Sequence, residues 1–299
     1  MKNALRSTVV AATLLSLVGC ASSPEGRAPA QAVTNSRFAK FGTNKVHYAV
    51  EGKGSRALVF IHGWSSNGGF WREQVPAFAD HSRVILIDLP GHGQSDKPQT
   101  DYTMDYFARA VLAVMRDARV AKATLIGHSM GTPVMCRVYA QAPERVAALV
   151  AVDGLLRRPA MTPEQAERFV GPFQALTYRE HVTRFVNSMF PNAGTEALRD
   201  RVRDEMLQTP QYVMTGAMNG MFGAGQPDWD LKHVPVPVLA IMAPNPMWTA
   251  EYEAYVRSLS PKTEYRTIEG AGHFIAQEKP AEFNAALAEM LREYDLIAK

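Results

Sequence analysis

The chain has 299 residues, 46% hydrophobic and 20% charged, a composition typical of a globular protein with one large domain or two smaller ones. Its formal net charge of +3 falls to +1, with 30 basic against 29 acidic residues, once Lys2 and Arg6 in a segment expected to be removed are left out. This near-neutral balance argues against a nucleic-acid partner.

The first predicted element is a secretory leader over residues 1–20. The stretch MKNALRSTVVAATLLSLVGC has a short basic start, an apolar run and then small residues, and the run is too short to span a bilayer. Its end, Leu17-Val18-Gly19-Cys20, resembles the lipobox of bacterial lipoproteins, which implies that Cys20 is lipidated and becomes the mature N-terminus. The alternative is cleavage at another small residue, which would release a soluble protein.

Residues 21–36 are predicted to be a flexible tether, because they are rich in Ala, Ser and Pro and almost lack large apolar residues. The lipoprotein resemblance implies anchoring in the bacterial cell envelope. Ala21 and Ser22 follow the cysteine without an aspartate, which favours the outer membrane, with the protein facing the periplasm.

The number and spacing of cysteines and histidines argue against an intrachain disulfide and against a metal site. With Cys20 assigned to the anchor, Cys136 is the remaining cysteine, so no intrachain disulfide is predicted. No Cys or His pair has the spacing of metal ligands, and we predict neither a metal nor another cofactor.

Eight short β-branched or apolar runs follow, and we predict strands over residues 37–41, 45–50, 57–61, 83–88, 120–126, 146–152, 237–242 and 263–268. The first two surround the turn sequence GTN, as in a hairpin. Segments with helical periodicity, such as residues 104–118 and 280–298, separate later strands. This alternation predicts a mostly parallel sheet with helices on both faces.

Residues 155–233 interrupt the alternation between the sixth and seventh strands. They carry four helical patterns, at residues 162–176, 178–189, 195–207 and 211–221, and we predict a helical cap inserted into a core formed by residues 37–154 and 234–299. The cap is rich in Met and Phe, which could line an apolar acyl or aromatic pocket or pack the cap against the sheet. The apolar residues in question are Met161, Phe169, Phe173, Phe185, Met189, Phe190, Met206, Met214, Met218, Met221 and Phe222.

The stretch TLIGHSMGTP places Ser129 between two glycines after the fifth predicted strand and before a helical segment over residues 130–141. A Gly-x-Ser-x-Gly pentapeptide arises by chance in roughly one chain in ten of this length, so the strand–turn–helix setting carries the argument. In that setting Gly127 and Gly131 relieve crowding at a sharp turn, and the Met130 N–H at the helix start faces any anion formed beside Ser129.

Four sequence blocks occur in order: FIHGWSSNGGFW, DLPGHGQSD, GHSMG and GAGHFIAQEKPAEFN. With these blocks residues 37–299 resemble the α/β-hydrolase superfamily. The resemblance implies an α/β-hydrolase fold, Ser129 as nucleophile, His273 as general base, and the backbone N–H groups of Trp64 and Met130 as the oxyanion hole. Independently, a serine needs an imidazole on a nearby loop to take its proton, and His273 follows the eighth strand. His62, His92 and His128 are interpreted as positional.

The third member of the triad departs from the family pattern. The family usually has an aspartate shortly after strand seven, where this chain has MAPNPMW, and Asn245 is neutral. Asp153 directly follows the sixth strand, which neighbours strand seven in the family's sheet, and we predict that it is the acid. The alternative is that Asp153 stabilises the hinge of the cap.

The sequence therefore predicts a serine hydrolase that cleaves a small to medium hydrophobic acyl or aryl ester, with a small-molecule ester and a membrane as partners. Lactone, amide, perhydrolase or carbon–carbon bond chemistry on the same residues remains an alternative. A noncatalytic envelope binding protein on a hydrolase scaffold is another. The oligomeric state is left open.

Overall fold

The computed structural model describes residues 35–297, in which one eight-stranded sheet has the strand order β1-β2-β4-β3-β5-β6-β7-β8. The strands are β1 (Ser36–Phe41), β2 (Asn44–Glu51), β3 (Ala57–Ile61), β4 (Arg83–Ile87), β5 (Ala123–His128), β6 (Val146–Val152), β7 (Val238–Met242) and β8 (Thr263–Thr267). β2 pairs antiparallel with β1 and β4, and all other pairs are parallel. The prediction of a mostly parallel eight-stranded sheet is confirmed.

Six of the eight strands begin or end one to three residues away from the predicted positions, and two of these differences have a visible cause or consequence. The fifth strand begins at Ala123 rather than Val120, because the Val120 N–H donates to Met115 O at 2.8 Å and still closes the preceding helix. Ser36, assigned to the tether, is the first residue of β1. Neither difference changes the order of the elements.

The helices are α1 (Val75–Phe78), α2 (Met104–Asp117), α3 (Gly131–Gln141), α4 (Pro163–Gln174), α5 (Tyr178–Asn187), α6 (Glu196–Met206), α7 (Gln211–Phe222), α8 (Ala250–Ser258), α9 (Ile275–Glu278) and α10 (Pro280–Glu293). Side chains of β3 alternate between two buried clusters. Leu58 and Phe60 share a cluster with residues of α10, whereas Val59 and Ile61 share the other with α2 and α3. Helices cover both faces, which explains why every residue of β3 is buried.

Helices α4 to α7 lie in the chain between β6 and β7, within the range for which a cap is predicted. α4 begins with a capping box, in which the Thr162 side chain accepts the Gln165 N–H and the Gln165 side chain accepts the Thr162 N–H. No helix within residues 35–297 is long and apolar enough to cross a membrane. Cys20, the predicted leader and all but the last two residues of the predicted tether lie outside the described residues.

Candidate active site

Ser129 occupies a sharp turn between the end of β5 and the start of α3. Its φ of +51° lies in the left-handed region, which residues other than glycine seldom adopt. Two backbone bonds hold this conformation: the Ser129 N–H donates to Val152 O at 3.0 Å, and the Thr132 N–H donates to Ser129 O at 2.9 Å. The structure therefore has the strand–turn–helix setting that the sequence predicted.

Gly127 and Gly131 allow three backbone segments to meet at this turn. A Cβ on Gly127 would lie 2.3 Å from Gly131 O, and a Cβ on Gly131 would lie 2.2 Å from Ile61 O. Both distances are far below van der Waals contact, so any side chain at these positions would push α3 away from the ends of β5 and β3.

The structure brings Asp153 and His273 together at the same edge of the sheet. Asp153 follows β6 and is buried, His273 lies in the loop after β8, and Asp153 Oδ2 is 2.6 Å from His273 Nδ1. Because a carboxylate only accepts, His273 carries its proton on Nδ1 in this bond. Its Nε2 is then left to accept a proton from a donor in the cavity.

The second carboxylate oxygen of Asp153 is also occupied. Asp153 Oδ1 accepts the backbone N–H of Ala243 at 2.9 Å and the indole N–H of Trp248 at 3.0 Å. Both donors follow β7, the strand whose loop usually supplies the acid in the family. Sequence reasoning missed Trp248, because no sequence pattern places its indole N–H beside Asp153.

Asn245, considered as an alternative acid, is engaged in its own loop. Its Oδ1 accepts the Met247 N–H at 2.9 Å, so the side chain caps the turn after β7. Asn245 lines the cavity, yet the hydrogen bond to His273 Nδ1 is made by Asp153.

Ser129 and His273 line the same cavity, but within residues 35–297 no hydrogen bond joins Ser129 Oγ to the imidazole. In enzymes without substrate such bonds are often long and tighten only when the reacting complex forms. The two residues therefore share the cavity without a direct hydrogen bond between their side chains.

Two buried backbone N–H groups border the Ser129 turn. Among the described residues, neither the Trp64 N–H nor the Met130 N–H has a hydrogen-bond acceptor, and both residues line the cavity. Buried N–H groups are rarely left without a partner. Here both N–H groups can donate hydrogen bonds to an oxyanion formed beside Ser129.

His62 and His128 hold loops in place and stay uncharged. His62 Nε2 accepts the Leu89 N–H at 2.9 Å, and its Nδ1 lies 2.8 Å from Gly63 O. His128 Nε2 lies 2.8 Å from His273 O. Burial lowers both pKa values, with the proximity of His273 as the second cause for His128, and brings the pKa of His128 to about 3.

Glu278 was missed by sequence reasoning and holds the loop that carries His273. Its two carboxylate oxygens accept the N–H groups of Gly272 at 2.9 Å and Phe274 at 3.0 Å, the residues on either side of His273. Burial raises the pKa of Glu278 above its usual value, against the effect of these bonds. The cap contributes as well, because the His273 N–H donates to Met189 O at 3.1 Å.

A second hydrogen-bonded chain of serine, histidine and aspartate lies outside the cavity. Ser36 Oγ is 2.5 Å from His47 Nε2, and His47 Nδ1 is 2.9 Å from Asp88 Oδ2. Asp88 also accepts the N–H groups of Gly68 at 2.7 Å and Gln94 at 2.8 Å. Nothing in the sequence patterns indicated this arrangement, which links β1, β2 and the loop after β4.

The cavity above Ser129 has a volume of about 490 Å³ and is largely apolar. Eight of the predicted cap residues line it: Met161, Phe169, Phe185, Met189, Met206, Met218, Met221 and Phe222. The other three pack instead. Phe173 lies edge-on to Trp64, Phe190 stacks on Phe274, and Met214 is buried, with its carbonyl accepting the indole N–H of Trp64 at 2.8 Å. Among residues 35–297 no group of three or more metal-binding side chains is arranged around a common point.

Comparison with known proteins places this geometry in a family. The chain is 28% identical to the dihydrolipoyllysine-residue acetyltransferase component of the acetoin cleaving system of Cupriavidus necator, over 85% of this chain and 68% of that protein. It is 26% identical to the pimeloyl-[acyl-carrier protein] methyl ester esterase of Vibrio cholerae, over 67% of this chain and 79% of that protein.

Among solved structures, a bromoperoxidase from Bacillus anthracis superimposes with a TM-score of 0.77 at 22% identity, over 86% of this chain and all of that one. This likeness shows a shared fold. The model of the alpha/beta hydrolase fold family matches residues 56–280, three quarters of the chain. The protein belongs to the alpha/beta hydrolase fold family.

Proposed function

We propose that the protein is a serine hydrolase that cleaves a carboxylic ester through an acyl-enzyme on Ser129. The observation that carries the proposal is the convergence of three features on one apolar cavity: Ser129 at its strained turn, the bonded pair of His273 and Asp153, and two N–H groups without acceptors.

In the proposed mechanism, His273 Nε2 takes the proton of Ser129 Oγ as the oxygen attacks the ester carbonyl carbon. The N–H groups of Trp64 and Met130 donate to the resulting oxyanion, and Asp153 stabilises the imidazolium. His273 then protonates the leaving alcohol. A water molecule, activated by His273, attacks the acyl-enzyme, and Ser129 regains its proton as the acid leaves.

The cavity and one relative support the proposed substrate class. A volume of about 490 Å³ lined by Met and Phe suits a small to medium hydrophobic acyl or aryl group. A relative whose name describes a methyl ester esterase supports ester chemistry. The same groups could serve lactone, amide or carbon–carbon bond hydrolysis, so the ester is a proposal that turnover must decide.

Turnover of short activated aryl esters tests the proposal. Wild-type protein should hydrolyse them, a fluorophosphonate should label Ser129, and Ser129→Ala should abolish both. Ser36→Ala is the matched control, since Ser36 also bonds to a histidine but lies on the edge strand β1, and this variant should keep full activity. Absence of both turnover and labelling would favour a noncatalytic binding protein.

A cellular location is proposed as well: the protein is anchored in the bacterial envelope through a lipid on Cys20, on the periplasmic side of the outer membrane. The support is the lipobox-like sequence alone. Two or more lipid chains on one cysteine would give a stable anchor. Fractionation of wild type and Cys20→Ser tests it, and unchanged membrane association of the variant would refute the anchor.

A further inference from the structure

The cavity above Ser129 is nearly free of ionisable side chains. Among residues 35–297, the ionisable side chains that line it are those of His128, Asp153 and His273, and no lysine, arginine or glutamate of this range lines it. The remaining lining consists of Met, Phe, Trp, Pro, Leu, Ala and Gly with three small polar side chains, Ser66, Ser188 and Asn245, besides Ser129.

None of the three ionisable groups can pair with a charge on a substrate. His128 stays neutral because burial and the neighbouring His273 lower its pKa to about 3. The Asp153 side chain is 2% exposed, and both its oxygens accept hydrogen bonds from the protein. His273 is committed to Asp153 through Nδ1 and, in the proposed mechanism, to the reacting oxygen through Nε2.

Two charged side chains adjacent in sequence or by hydrogen bond to lining residues, Arg158 and Glu278, already have partners. The guanidinium of Arg158, at the start of the cap, donates to the carbonyls of Gly223 and Gln226, both at 2.5 Å. The carboxylate of Glu278 accepts the two N–H groups beside His273. A carboxylate or ammonium group on a bound substrate would find no partner of opposite charge among the lining residues.

We propose that the part of the substrate that enters this cavity is uncharged, so that the enzyme selects neutral esters by charge more than by shape. The inference rests on the proposed function and specifies its substrate class. Burying an ionised group without a partner is strongly unfavourable in an apolar site, and the negative charge of Asp153 adds repulsion against a carboxylate.

The methionines explain why shape should discriminate less than charge. Seven of them line the cavity: Met130, Met161, Met189, Met206, Met218, Met221 and Met247. Thioether side chains have three rotatable bonds and adapt to different apolar outlines, but they cannot solvate a charge. The cavity should therefore accept apolar groups of varied form and reject ionised ones.

Three 4-nitrophenyl esters with the same six-carbon acyl chain test this proposal. They are the hexanoate, the monoester of adipate, which ends in a carboxylate, and the methyl ester of that monoester, which is larger but neutral. We expect kcat/KM for the adipate monoester to be at least about a hundredfold below that for the hexanoate, because its charge is left unpaired. The methyl-capped ester should stay within about tenfold of the hexanoate.

A cation placed in the cavity wall provides the matched variant. Met161 lines the cavity and is partly exposed. In Met161→Lys, the ratio of kcat/KM for the hexanoate to kcat/KM for the adipate monoester should fall at least tenfold. In Met161→Gln, whose new side chain has a similar length but no charge, this ratio should not change. Equal ratios in the two variants, or equal rejection of the neutral methyl-capped ester, would overturn the charge proposal. Cleavage of all three esters at similar rates would also overturn it while leaving the ester hydrolase intact. Failure on all three would refute the proposed function itself.

Discussion

The part of the chain that the structure describes contains two groupings of Ser, His and Asp, and the one outside the cavity has the more complete set of hydrogen bonds. Ser36, His47 and Asp88 form a continuous chain with distances of 2.5 and 2.9 Å. In the cavity, Asp153 and His273 are 2.6 Å apart, while Ser129 Oγ has no bond to the imidazole within the described residues.

The surroundings separate the two groupings. Ser36 lies on the edge strand in an extended backbone, and the His47 and Asp88 side chains are only 8% and 7% exposed, so the imidazole has no room for a substrate. Asp88 additionally binds two backbone N–H groups and ties loops together. Ser129, by contrast, faces an apolar cavity with two free N–H donors nearby. A triad is therefore recognised by its cavity and oxyanion donors more than by its three side chains.

Neutralising each of the two aspartates should distinguish the two groupings with the largest effect. Asp153→Asn should lower kcat by roughly two to four orders of magnitude, because the imidazolium loses its charged partner. Asp88→Asn should leave kcat nearly unchanged. Each carboxylate is buried and accepts three hydrogen bonds, so each variant should also lose about 3–5 kcal/mol of unfolding free energy. Ester kinetics and thermal melts on both variants measure the two effects.

The opposite pattern would reverse the assignment. A loss of thermal stability in Asp153→Asn with kcat nearly unchanged would make Asp153 the anchor of the cap hinge and not the acid. A kcat loss of the same size in Asp88→Asn at full stability would bring the outer grouping into catalysis.

Two buried histidines that are not hydrogen-bonded to a carboxylate, His92 and His128, should make the stability of the protein depend on pH. Burial lowers the pKa of His92 and His128 to about 3 from an ordinary value of 6.5. The unfolded chain therefore binds protons that the folded protein does not, and stability falls as the pH drops from about 6.5 towards 3, by up to about 1.4 kcal/mol per pH unit for each histidine. Urea unfolding at several pH values measures this slope.

His92→Asn isolates one of these histidines. His92 Nδ1 lies 3.0 Å from Pro90 O, a bond that an asparagine amide can replace, and the variant should show a shallower loss of stability on acidification. Parallel slopes in wild type and variant would contradict the account.

A smaller effect is expected from the indole that binds Asp153. Trp248→Phe keeps an aromatic ring beside Tyr252 but removes one donor to Asp153 Oδ1 and leaves the Ala243 N–H in place. We expect kcat to fall about three- to tenfold, the size of one typical hydrogen bond. Trp229→Phe is the control, because Trp229 also lines the cavity but donates to Leu155 O at 3.0 Å. Equal kcat losses in both variants would show that indole volume matters and the bond to Asp153 does not.

The sequence was sufficient for the sheet, the cap and the neighbourhood of Asp153 and His273. Alternating apolar runs define strands locally, and the order of parallel strands then brings the ends of β6, β7 and β8 to one edge. The positions of Trp248 and Glu278 could not be predicted. Their roles depend on loop conformations that bring an indole N–H or a carboxylate within 3 Å of a partner, and no periodic pattern encodes such loops.

The missing hydrogen bond between Ser129 and His273 could not be predicted either. It depends on side-chain positions within a cavity that is lined in part by the cap, a distant segment of the chain. The outer grouping was missed for a related reason. Ser36, His47 and Asp88 come from three strands or their loops, and only the pairing of β2 with both β1 and β4 makes them neighbours.

The bond from the His273 N–H to Met189 O ties the loop of the proposed base to the cap, and Asn192 strengthens the link by donating to Gly270 O at 3.0 Å. If the segment after α5 swings outwards to admit a substrate, both bonds must break and the imidazole loop loses part of its support. The conformation that admits the substrate and the conformation that supports proton transfer are then two different states of the protein. In that case both bonds must form again before His273 is held in place for proton transfer, and the rate of this closure would limit turnover whenever it is slower than the chemical step.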